Sequence, residues 1–163
     1  MKQLIFILLV FSLLACSQHG GETQALQDRV DSLELKLSGS YIPGFGEFMG
    51  YVQVHHAKLW FAGRNANWEL AGFELDEIRE AIDNIQKYET DRPETKLIGM
   101  IDPALDKMQD AIEKQDPELF KTGYTLLTST CNSCHTAAKY GFNVVKVPDT
   151  PPFSNQVFSN PPR

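Results

Sequence analysis

A chain of 163 residues, 42% hydrophobic and 22% charged, is long enough for one hydrophobic core and too short for two. Its formal charge of −6, without a basic cluster, excludes nucleic-acid binding, which rests on neutralised phosphates, and adhesion to anionic lipid headgroups. Of its three cysteines, Cys131 and Cys134 stand together and Cys16 closes an apolar leader, so no pair remains for a separate structural disulfide.

The leader, "MKQLIFILLVFSLLAC", carries Lys2 and then an apolar run from Leu4 to Ala15. It is too short to span a bilayer as a mature helix and has the form of a signal-peptide core. Its end, Leu13-Leu14-Ala15-Cys16, resembles the lipobox of bacterial lipoproteins. That resemblance implies a signal peptide over 1–15, a lipid on Cys16 and a tether to a membrane of the bacterial cell envelope, facing the periplasm or the surface. Ordinary secretory cleavage nearby, leaving a free thiol, is the alternative. Cleavage before Cys16 removes Lys2 and moves the charge from −6 to −7. The lipid, not surface charge, would then hold the chain to the membrane.

Residues 16–43 read as a polar tether and a short stalk helix. Leu26, Val30, Leu33 and Leu37 are spaced by four, three and four, an a/d heptad pattern lasting two repeats. Such a helix suits a stalk, packing on the main domain, or a dimer. "SGSYIPGF" ends it, and the main domain spans 44–140.

Within that domain Phe45, Phe48, Met49, Val52, Leu59 and Trp60 predict a first helix to Ala62, carrying His55 and His56, with Gly63 and "RNAN" as its end. Asn67 is placed to cap a second helix with the stripe Ala71, Leu75, Ile78, Ile82 and Ile85. Asp76–Arg79 and Asp83–Lys87 are spaced to pair on its outer face. After the loop "TDRPET", Leu97, Ile101, Leu105, Met108 and Ile112 mark a third helix. Pro103 either kinks it or opens a helix after a short turn. Asp116 caps a fourth helix with Pro117 in its first turn, running through Phe120, Tyr124 and Leu127 into the cysteines. Trp60, Trp68 and Tyr124 read as core aromatics. Residues 141–163 contain five prolines, which exclude a helix and predict an extended strap docking Phe142, Val144, Phe153 and Phe158. The fold class read from this pattern is all-α: a four-helix bundle with an N-terminal helical stalk and an extended Pro-rich tail.

The fourth helix ends in Cys131-Asn132-Ser133-Cys134-His135. CxxCH is the attachment pattern for one covalent haem c. Each thiol adds to a vinyl group of the porphyrin, so both must project from one turn, and positions i and i+3 share a helix face. His135 then supplies the proximal iron ligand. A zinc site needs about four ligands, and no second CxxC pair exists. A thioredoxin-type dithiol belongs to a βαβ setting, and no strand pattern is present.

A CxxCH closing a four-helix pattern, rather than opening the chain, resembles the cytochrome c-prime family, the class II cytochromes c, over roughly 44–140. The string "PGFGEFMGYVQVHHAKLWFAG...NWELAGFELDEI" is similar to a group of bacterial proteins related to them. The resemblance implies that the first helix crosses the distal face of the haem. An apolar residue there leaves the iron five-coordinate and open to gases, whereas a methionine makes it six-coordinate and suited to electron transfer. The first helix offers Met49, His56 and His55. Met49 and His56 share a face about 10.5 Å apart in rise, so one at most reaches a given iron, and His55 lies about 100° around from His56. A methionine on an apolar stripe is otherwise core filler. The resemblance further implies a basic residue near the haem edge four after the histidine, here Lys139; a solvated lysine at a helix end is the plainer reading.

The expectation is a membrane-tethered monohaem cytochrome carrying single electrons to a redox partner protein. A five-coordinate haem protein binding NO or CO is the alternative. A peroxidase is disfavoured because no distal acid–base pair is identified.

Overall fold

A computed structural model describes residues 21–160; Cys16 and the leader lie outside the described residues. The fold is all-α, and among the described residues there is no strand. No described helix is long and apolar enough to cross a membrane. The chain divides into two compact units, with the break after Ile42.

The first unit contains helix α1, described over residues 21–38. Leu26, Val30, Leu33 and Leu37 are all exposed on it.

The second unit begins with α2, Phe45–Arg64. Asn67 then caps α3, Trp68–Tyr88, its side chain accepting from Leu70 N–H at 3.2 Å, as its position after a turn predicts. The expected pairing of Arg79 with Asp76 is replaced by one with Asp106 of the next α-helix, at 3.0 Å. Of the two outcomes open at Pro103, the structure takes the second. A 3-10 helix spans Pro93–Ile101, and α4, Asp102–Glu113, starts afresh with Pro103 in its first turn, where a missing N–H costs nothing. The tighter winding buries Ile98 and Ile101 and leaves Leu97 half-buried. Asp116 caps α5, Pro117–Ala137, by accepting from Glu118 N–H and Leu119 N–H.

Apolar stripes from all four α-helices and the 3-10 segment meet in one core. Its spine is aromatic: Trp68 packs edge-on to Phe120, and Phe120, Trp60, Tyr124 and His56 follow with centroid separations of 6.4, 4.8 and 4.5 Å. Gly63, expected to terminate the first helix, lies inside α2 and is buried for a different reason. A Cβ there would fall 2.1 Å from the Phe120 ring.

Three helices end in one way. Ala66, Gln115 and Lys139 are left-handed, with φ of 52°, 52° and 67°. In each case the left-handed residue and its successor donate back into the last turn: Ala66 to Gly63 O and Asn67 to Ala62 O, Gln115 to Ile112 O and Asp116 to Ala111 O, Lys139 to Thr136 O and Tyr140 to His135 O. These are Schellman closures built without glycine, each costing about 1 kcal/mol of backbone strain.

Residues 141–160 contain neither helix nor strand. Of the four apolar residues expected to dock there, Phe158 is buried against Phe61, with ring centroids 5.7 Å apart. Phe142, Val144 and Phe153 stay exposed. Backbone and amide contacts take their place: Asn67 Nδ2 donates to Ser159 O at 3.4 Å and Asn160 Nδ2 to Ala66 O at 3.0 Å.

Two glycines inside helices therefore respond oppositely to alanine. Gly72 meets nothing within 4 Å, so Gly72→Ala gains helix propensity and stabilises by about 0.5–1 kcal/mol. Gly63→Ala must displace Phe120 and destabilises by about 1–3 kcal/mol net. Urea denaturation of both variants checks the pair.

Candidate functional site

Cys131 and Cys134 sit in the last two turns of α5, with His135 beside them. All three line a cavity of about 370 Å³, together with Met49 and His56 of α2 and Ile98 and Ile101 of the 3-10 segment. Residues some 80 positions apart in the chain thus share one space because α2 and α5 pack together through the aromatic spine. The cavity lies within the size range of small-molecule and cofactor sites.

The His135 ring is oriented by the chain that follows it. Its Nδ1 lies 2.6 Å from the Asn143 carbonyl. A carbonyl only accepts, so Nδ1 carries the proton and Nε2 of the neutral ring keeps its lone pair. The Schellman closure at Lys139 reverses the chain to make this contact. Asn132, between the two cysteines, holds the return in place: its Nδ2 donates to Val145 O and its Oδ1 accepts from Val145 N–H, both at 2.8 Å. The side chain takes the place of a strand partner for the returning backbone.

Both thiols are free. Burial, with the neighbouring Cys134, pushes the Cys131 thiol up to about 11, and burial raises Cys134. Cys134 Sγ points at the Leu97 carbonyl at 3.8 Å. Reactive dithiols and thiolate metal sites have depressed values at helix N-termini or beside cations. These stand at a helix C-terminus and are raised by burial, against the exchange couple. Among the described residues no three His, Cys, Asp or Glu side chains are gathered to hold a metal ion.

The candidates on α2 separate. His56 is 4% exposed with both ring nitrogens engaged: Nε2 lies 3.0 Å from Thr128 Oγ1 and Nδ1 lies 2.9 Å from Tyr124 Oη. Thr128 donates its own proton to the Tyr124 carbonyl, so Nε2–H of His56 donates to Thr128. The Tyr124 hydroxyl donates to the His56 carbonyl at 2.7 Å and lies 2.9 Å from Nδ1, closing off that side of the ring. His55 does not line the cavity; its Nδ1 lies 2.6 Å from Glu74 Oε2, and Lys58 Nζ lies 3.3 Å from the other oxygen of that fully buried carboxylate. Met49 is half-buried on the cavity wall, its thioether committed to no hydrogen bond. Lys139 is exposed, outside the lining, and its structural part is the left-handed closure of α5.

The polar lining residues not singled out from sequence are Gln53, Arg92, Glu94, Tyr140 and Asn143. Arg92 Nε pairs with Glu94 Oε2 at 3.3 Å, and Tyr140 donates to Glu94 Oε1 at 3.0 Å. The Glu94 carboxyl is held below its ordinary range by a hydrogen bond from its own backbone N–H and then by Arg92. "TDRPET" reads as a loop, and nothing in its composition marks Arg92 as a cationic wall of a cavity formed 40 residues later.

No protein-family model, curated protein or solved structure matches the chain.

Burial lowers His56 from 6.5 to about 4. The unfolded chain thus binds a proton between those values that the folded chain does not. The stability tied to the neutral ring is complete above about pH 6.5 and is lost as pH falls toward 4, amounting to about 3 kcal/mol. In urea titrations across this window wild type should lose that much more stability than His56→Gln; parallel curves would contradict the assignment.

Proposed function

We propose that this chain is a lipid-tethered monohaem c-type cytochrome of the class II kind, carrying single electrons in the bacterial cell envelope. In this reading α2, α3, α4 and α5 form the four-helix bundle, α1 is a stalk and the Pro-rich tail is a strap. The observation that carries it is the convergence of Cys131, Cys134, His135 and Met49 on one cavity. A CxxCH on a surface helix would have its histidine alone; this one has a ring held by a carbonyl and a second soft donor on the same wall.

The residues fit covalent haem. Cys131 and Cys134 would hold the porphyrin edge through thioethers, bonds that need thiols present and unpaired, as these are. His135 would offer Nε2 to the iron, its basicity raised by the Asn143 carbonyl at Nδ1. Met49 would be the distal ligand, since both nitrogens of His56 are spent and His55 belongs to Glu74. Arg92, though paired with Glu94 on the same wall, would have guanidinium N–H groups left to offer a carboxylate-bearing cofactor. Bound haem supplies a one-electron iron couple, and a methionine–histidine ligand set raises its potential. The protein's part is to keep both ligands in place in either oxidation state and to surround them with apolar side chains. Cys16, at the end of the apolar leader, would carry the lipid.

The gas-binding alternative draws on the same wall. With His56 held by Thr128 and Tyr124, loss of Met49 from the iron would leave Phe45 and Val52, with the amide of Gln53, as the α2 lining.

Visible spectra of the purified protein, oxidised and reduced, with and without carbon monoxide, test the reading. A low-spin spectrum unmoved by carbon monoxide is expected, and Met49→Ala should turn it high-spin and reactive to the gas. A wild-type spectrum that shifts at once with carbon monoxide would transfer the assignment to gas binding and return Met49 to the core.

A further inference from the structure

Among the described residues of the first unit, nothing covers the apolar stripe of α1. Leu26, Val30, Leu33 and Leu37 are 60%, 44%, 62% and 70% exposed, and residues 21–42 are exposed throughout. A helix this short, exposed on every side, is marginal in water on propensity alone. Four large aliphatic side chains on one face are a contiguous surface that another element is expected to cover.

Their spacing sets the register: Leu26 and Leu33 are d positions, Val30 and Leu37 are a positions. At the central a position, Val30 between Leu26 and Leu33 at d favours two parallel strands, while Leu37 at the second a position is neutral to that choice. The flanking charges make the same choice. Arg29 is at g and Glu34 at e, five residues on. In a parallel, in-register pair each Arg29 faces the Glu34 of the other copy, and symmetry makes the contact twice. The antiparallel arrangement sets g against g and brings Arg29 toward Lys36 of the other copy, a like-charge pair. Among the described residues neither Arg29 nor Glu34 forms an ion pair within the chain. The outer face is already stitched: Gln24 bonds Asp28 and Gln27 bonds Asp31, both at 2.9 Å.

We propose that α1 is a dimerisation element that pairs with α1 of a second copy of this chain as a short parallel coiled coil. The pairing rests on residues 21–38 alone and holds whether or not haem is attached at Cys131 and Cys134. Two heptads give modest affinity by themselves. Tethering of both copies to one membrane would confine them and raise their effective concentration.

Sedimentation equilibrium of the full chain in mild detergent, over a range of concentrations, tests the pairing. A monomer–dimer equilibrium is expected. Arg29→Glu converts both interchain contacts to Glu–Glu and should weaken dimerisation by about tenfold, as should Glu34→Arg. Mixing the two variants makes both contacts attractive again and should restore association to the wild-type level, as should R29E/E34R in one chain. Since the substituted positions are exposed, no variant is expected to disturb the second unit, whose helical circular dichroism serves as the control. A monomer at every concentration would overturn the proposal and leave lipid or another protein as the cover of the stripe. A dimer indifferent to all the swaps would overturn it too, by placing the interface elsewhere.

Discussion

A backbone carbonyl can only accept, and the Asn143 carbonyl lies 2.6 Å from His135 Nδ1. That contact decides which nitrogen of the neutral His135 ring keeps a lone pair. It also explains why the tail must turn back where it does. A chain leaving α5 in any other direction would put no acceptor at that spot. The Lys139 closure turns the backbone and Asn132 fastens Val145, and between them they bring the carbonyl to the ring. The strain of a left-handed lysine, about 1 kcal/mol, is the local cost of that geometry.

The wall contributed by α2 depends on packing rather than on a single bond. Trp60, Phe120 and Tyr124 hold α2 against α5, and Gly63 lets the Phe120 ring come close. The same packing buries His56, and a buried imidazole with an open nitrogen would carry an uncompensated desolvation cost. Thr128 reduces that cost by accepting from Nε2–H, and the Tyr124 hydroxyl stands 2.9 Å from Nδ1. Satisfying His56 is also what withdraws it as a donor, and the half-buried thioether of Met49 is left facing the space. The buried, protonated thiols fit the same scheme, because a site for thioether attachment has no need of the depressed thiol values that exchange chemistry requires.

Much of this was legible before any coordinates. Periodicity located the helices, and Asn67, Asp116 and Pro117 marked two starts, because capping is local chemistry that residue type reports directly. Motif spacing likewise singled out Cys131, Cys134 and His135. What stayed hidden was non-local or lacked its usual marker. Three Schellman closures use Ala66, Gln115 and Lys139, so no glycine announced them, while Gly63 suggested a terminus and serves a close ring contact. Asn132 occupies a variable position of CxxCH, and its partner lies 13 residues on. Arg92 became a wall residue as the extended residue just before a 3-10 segment, which hydrophobic period does not distinguish from a helix or turn. Met49 and His56 look equivalent on a helical wheel. The difference between them comes from Tyr124 and Thr128, on another helix.

The proposed function stands or falls on a covalent cofactor at Cys131 and Cys134. Intact-mass spectrometry of the protein, produced in a bacterial host with the c-type haem attachment machinery and then denatured, measures that most directly. The account predicts a mass exceeding that of the processed, lipidated chain by one haem, with the excess lost in Cys131→Ala/Cys134→Ala. A wild-type chain of unmodified mass beyond Cys16, with both thiols open to alkylation, would contradict it.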